Sequence, residues 1–148
     1  MNSHPYLRAY IAGVTAPSVG VLVALTVFIL TRLVWEVPIP IERVIVFPMG
    51  VVPSAFGIWN MLYVWSRPHR DWPIGLHGAL LPVILGGIGA VFAVSSGFMT
   101  IGSLGVTWFR TIGVPYSLVA VWFMGALVLY YLVWKYVVGF LNQVLGIA

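Results

Sequence analysis

The sequence predicts an all-α integral membrane protein: four transmembrane helices in an antiparallel bundle, with an interfacial or re-entrant segment between the third and the fourth. Three observations predict it. The seven basic and three acidic residues divide the 148-residue chain into uncharged windows at residues 9–31, 44–66, 72–109 and 111–134. Each window holds the roughly 20 apolar residues that cross a bilayer at about 1.5 Å per residue. The chain is 61% hydrophobic and 7% charged, with a mean hydropathy of +1.07. That leaves too few polar groups to cover the surface of a soluble domain of this size. Four spans and their connections also use up the sequence, so a single membrane domain over residues 1–148 is expected, without an extramembrane domain.

The first span is predicted at about residues 9–34 and is read as a retained anchor, because no cleavage site of small residues follows it. Ala12, Ala16, Gly20 and Ala24 recur every fourth position, a line of small side chains that lets a neighbouring backbone approach. Pro17 removes one backbone hydrogen bond, with Thr15 and Ser18 at hand to satisfy the freed carbonyl. Pro38 and Pro40 stop the helix and hold the first connection extended. The second span, about residues 44–65, carries Gly50, Ser54 and Gly57 as a second small-residue line, then aromatics where an interfacial belt belongs.

The segment Arg67-Pro68-His69-Arg70-Asp71-Trp72-Pro73 is the most polar in the chain and reads as a tight turn. The third span, about residues 73–95, bears Gly75, Ala79, Gly86 and Ala90, together with Pro82 and Ala93, as a near-heptad seam. Residues 96–114 are too apolar for a solvated loop and too rich in glycine for a helix, hence the interfacial or re-entrant reading. The fourth span, about residues 115–138, starts at Pro115, a favourable first-turn proline. Residues 136–148 carry no charge and are compatible with either a longer helix or an interfacial bend.

An even number of spans puts both termini on one side. That side carries Arg8, Arg67, Arg70 and Lys135 against Arg32, Arg43 and Arg110 opposite, so the positive-inside rule places both termini in the cytoplasm of a bacterial-type inner membrane. Arg8, Arg67, His69, Arg70 and Lys135 are therefore read as topology-setting or headgroup-contacting residues. The net charge of +4 is spread without a basic run, which suits anionic lipid and argues against nucleic acid.

Candidate chemistry is sparse. Cysteine is absent, which removes disulfides, thiolate catalysis and Cys-based metal sites. The carboxylates Glu36, Glu42 and Asp71 all fall in connections, whereas proton-coupled transport calls for one inside a span. His4, His69 and His77 are too few and too poorly placed to ligate a haem within one chain. Asn60 and His77 lie nine and eight residues from His69, at matching depth in an antiparallel hairpin, and are the candidate intramembrane polar pair. No catalytic constellation, metal site or cofactor is expected. The expected function is non-enzymatic, an accessory or structural component that packs against partner membrane subunits or copies of itself within the lipid bilayer. The alternative is a small oligomeric channel or transporter whose path is lined by Ser54, Asn60 and His77.

Overall fold

The computed structural model describes residues 4–36, 50–69, 71–110 and 112–147. Helix α1 spans Pro5–Leu33, α2 Val52–Ser66 and α3 Ile74–Ser95, with a short 3-10 turn Arg67–His69 joining the last two. Three short strands follow, β1 Met99–Ile101, β2 Gly105–Trp108 and β3 Ile112–Pro115. Helix α4, Tyr116–Leu132, then continues through a π-helical turn, Val133–Val138, into α5, Gly139–Val144.

Among the described residues, three helices are long and apolar enough to cross a membrane: Pro5–Leu33, Ile74–Ser95 and the continuous run Tyr116–Val144. They match the predicted first, third and fourth spans to within a few residues at most ends. The fourth extends further, because the uncharged tail stays helical to Val144 instead of bending away. Helix α2, with 15 residues, is about 22 Å long, short of a hydrocarbon core of about 30 Å. The first part of the predicted second span, residues 44–49, lies outside the described residues.

The all-α expectation is corrected by the sheet. Residues 96–114 form an antiparallel meander in the order β1-β2-β3, with Met99 opposite Trp108, Ile101 opposite Val106, and Trp108 opposite Ile112. Thr100, Ile101, Val106, Thr107, Trp108, Ile112 and Val114 are β-branched or aromatic and suit strands, while Gly102 and Ser103 mark the first turn. Ala93, Met99 and Val106 close a small cluster beneath the sheet, with Phe98, Trp108 and Val114 against it. Gly97, at φ 72°, ends α3: its N–H bonds to Val94 O and that of Phe98 to Ala93 O, a Schellman pattern. Gly146, at φ 64°, ends α5 in the same way, with its own N–H on Gln143 O and that of Ile147 on Asn142 O.

The main core is Phe56, Leu81, Leu85, Trp134 and Val138, flanked by Ala16, Trp59, Tyr63, Ile74 and Tyr130. All of it belongs to the end of the bundle near the polar turn. There α1 contributes Ala9, Ala12 and Gly13 as buried residues, whereas α4 contributes none. The predicted small-residue lines follow this division except at Ala93, which is buried in the cluster beneath the sheet. Ala12 and Gly57 are buried and Ala16 is packed, and a Cβ on Gly57 would fall 2.5 Å from the Tyr10 ring. Gly75 is buried against Tyr131, while Ser54 and Ala79 are half-buried. Gly20, Ala24, Gly50, Gly86 and Ala90 are exposed at the other end.

The tightest backbone approach in the α1–α2 pair is at Gly13, where a Cβ would sit 2.5 Å from Phe56 O. In α3 it is at Gly78, against which the Trp134 ring is pressed. Each is one residue away from a predicted seam position. Around Pro17, Thr15 Oγ1 donates to Ile11 O and Ser18 Oγ to Val14 O, so both hydroxyls bond the carbonyls four residues behind themselves and not the one that the proline frees.

Candidate functional site

The polar centre of the bundle is an amide pair. Asn60 on α2 is fully buried, and its Nδ2 donates to Asn142 Oδ1 at 2.7 Å and to Ala9 O at 2.8 Å. Asn142 Nδ2 returns a bond to Asn60 Oδ1 at 3.1 Å. Three helices, α1, α2 and α5, are thereby tied at one point. A lone amide in this setting would leave donors and acceptors unsatisfied where no water reaches, at a cost of several kcal/mol per group by the estimate of about 2–7 for an unpaired polar group. Two amides facing each other satisfy most of that demand at once.

Asn142 is brought inward by the π-helical turn. Trp134, Val138 and Asn142, at intervals of four, are all nearly inaccessible, although α4 before the turn has no buried residue. Sequence reasoning missed Asn142. The signal available was an amide in a charge-free stretch, the same signal that marked Asn60.

His77 on α3 is also buried, but it is joined to Trp59 and not to Asn60. Its Nε2 lies 3.2 Å from Trp59 O, and Trp59 Nε1 donates to His77 O at 2.8 Å. A carbonyl only accepts, so Nε2 carries the proton in this contact. The imidazole stacks on the Trp59 ring at 4.8 Å, with Tyr63 at 5.3 Å and Trp134 edge-on at 5.8 Å. Phe56 extends the aromatic group to Tyr130 and Trp134. Trp134 Nε1 is buried and has no hydrogen-bond partner. The two predicted polar residues thus share a depth but serve different joints: Asn60 ties α2 to α1 and α5, and His77 ties α3 to α2.

Of the predicted basic face, Arg8 and Arg67 meet at the end of α5. Arg8 Nη1 donates to Leu145 O at 2.8 Å, and Arg67 Nη1 reaches Ile147 O at 3.4 Å. Positive charge at a helix C-terminus is favourable, and these carbonyls have no partner within the helix. His69 is exposed in the 3-10 turn, and Arg70 lies outside the described residues. Lys135 is exposed, with Nζ 5.2 Å from the Tyr136 ring centroid and 5.8 Å from that of Tyr131. Among the described residues, no three His, Asp or Glu side chains gather where a metal ion could be held. The arrangement joins helices. It holds no nucleophile beside a base among the bonds just described. No family model matches the chain, and no curated protein or solved structure matches it either.

Proposed function

We propose that the protein is a non-enzymatic, four-span membrane component that packs against partner membrane subunits or further copies of itself. The observation that carries this reading is the divided use of the small-residue lines. Ala12, Ala16, Gly57 and Gly75 are consumed by packing inside the chain, while Gly20, Ala24 and Ala90 continue the same lines at exposed positions and Gly86 faces Phe123 of α4, 3.5 Å from where a Cβ would lie. Without a hydrophobic force between helices in lipid, close approach at small residues is what favours association.

Four spans fit the joined termini. The Arg8–Leu145 bond joins the start of α1 to the end of α5, which supports an even number of crossings. Helix α2 is read as the fourth crossing. The positive-inside rule then puts both termini in the cytoplasm. A pore lined by Ser54, Asn60 and His77 gains no support from the geometry, since Asn60 and His77 are enclosed by neighbouring helices.

The test is the mass of the complex in mild detergent, for the wild type and for the double variant Gly20→Leu/Ala24→Leu. The expected outcome is a wild-type assembly larger than one chain and a monomeric variant with unchanged helical content. A wild type that runs alone as a monomer sinks the proposal.

A further inference from the structure

The β-meander exposes several large apolar side chains among the described residues. Leu104 is 86% exposed, the highest value of any large apolar side chain among the described residues, and Ile101 and Ile112 are 67% and 56% exposed. No charged residue occurs between Asp71 and Arg110, so the only polar side chains of the first hairpin are the hydroxyls of Thr100, Ser103 and Thr107.

The hairpin does not swing freely. Tyr116 Oη donates to Gly102 O at 2.7 Å and Tyr116 N to Leu104 O at 3.4 Å, which pins the tip beside the first residue of α4. The depth of that residue follows from three lengths. Tyr116 stands about 28 Å along the helix from Lys135, α3 is about 33 Å long, and Arg8 and Arg32 are about 36 Å apart along α1. Each is close to the roughly 30 Å of hydrocarbon in a bilayer. The end of α3, Tyr116 and the hairpin tip therefore fall at one boundary of the membrane, and the start of α3 and Lys135 at the other. Arg8, bonded to Leu145, lies about 15 Å beyond Lys135 along the helix.

We infer that the tip at residues 102–104, with Ile101 and Ile112, is a lipid anchor that lies in the boundary between headgroups and acyl chains. Its occupant is the bilayer itself, because the lipid-facing surfaces of α3 and α4 run directly into the sheet: α3 ends four residues before β1, and α4 begins at the residue after β3. Trp108 and Phe109, in ring contact at 6.2 Å, are the side chains that favour such a boundary. The anchor keeps the far ends of α3 and α4 at a fixed depth where the helices themselves bury little against each other.

The inference rests on the chain being embedded in a membrane, and the experiment separates the two. The chain has no cysteine, so each introduced cysteine is the sole thiol. Leu104→Cys, Ile101→Cys, Val121→Cys in α4 and His69→Cys in the polar turn are each labelled with an environment-sensitive dye on the full chain in phosphatidylcholine–phosphatidylglycerol nanodiscs. Quenching is then read with iodide in water and with a nitroxide on a shallow acyl carbon. The expected result at positions 104 and 101 is nitroxide quenching comparable to position 121, and iodide quenching at least about twofold weaker than at position 69. Iodide quenching equal to that at position 69 overturns the anchor, as does a label that neither quencher reaches, which means protein covers the tip. If position 121 also reports water, the membrane reading itself fails. Ile101→Cys carries the test if Leu104→Cys does not fold.

Discussion

At the residue scale the chain settles its polar groups in pairs. Asn60 and Asn142 exchange two hydrogen bonds where neither has access to water, so removing one leaves the other with buried unpaired atoms. Asn60→Leu or Asn142→Leu is expected to destabilise by about 1–3 kcal/mol, the cost of an orphaned buried polar group. The double variant is expected to cost less than the sum, with a coupling of about 0.6–2 kcal/mol for an interhelical bond in this setting. Thermal unfolding in mild detergent gives all four corners of the cycle, and strict additivity would mean that the pair is not a functional unit of the fold. Asn60 and His77 were legible in the sequence because a polar side chain in an apolar window has few explanations. Their partners were not. Helical spacing and hairpin depth brought the two together, but the Asn60 amide points at α1 and α5, and His77 is taken by the residue next to Asn60 in the chain, Trp59. A seam read at steps of three and four likewise found Gly75 and Ala79, while the closest contact is at Gly78, since the indole of Trp134 fills the space beside it. Spacing within a helix says which residues share a face, and the size of the opposing side chain decides which of them is touched.

At the element scale the long helices were legible and the sheet was not. Charge-free length is the physical requirement for a span, so the middles of Pro5–Leu33, Ile74–Ser95 and Tyr116–Val144 follow from the uncharged windows, while Arg8, Arg32 and Lys135 lie within the helices towards their ends. Residues 96–109 share that lack of charge, which hid a strand pattern of only three or four residues per element under the membrane signal. The π-helical turn Val133–Val138 was equally hidden, because it leaves no compositional mark. Its effect is on register. One residue more than an α-turn needs rotates the last part of the helix, so that Trp134, Val138 and Asn142 face the core that α4 barely touches. Deleting Tyr136, which is exposed within the turn, should restore an ordinary α-helix while keeping Asn142 directed inward. Deleting Val128, exposed in the regular part of α4, turns everything beyond it by about 100°, one residue of a 3.6-residue turn. The expected outcome is a folded, only mildly destabilised Tyr136 deletion and a Val128 deletion that loses its melting transition. Equal damage from both would show that the turn does not act as a removable insertion.

At the scale of the whole molecule the decisive quantity is the number of crossings. Three helices meet the length requirement by themselves, and three crossings would put the termini on opposite sides of the membrane. The guanidinium of Arg8 at Leu145 O, and that of Arg67 at Ile147 O, bring the start of α1, the end of α2 and the end of α5 to one end of the bundle. Such closeness fits the proposed four crossings, with α2 as the fourth. Single cysteines at His4, Glu36, Asp71, Arg110 and Ile147 sample each end of every helix in turn, and the cysteine-free background makes each reaction unambiguous. With a membrane-impermeant maleimide on intact cells, positions 36 and 110 should react, while 4, 71 and 147 should react only after permeabilisation. That alternation is the signature of four spans with both termini inside. Positions 36 and 71 reacting from the same side would remove α2 as a crossing and with it the four-span bundle. Inverted alternation would keep the bundle and reverse its orientation, which rests on only four basic residues against three.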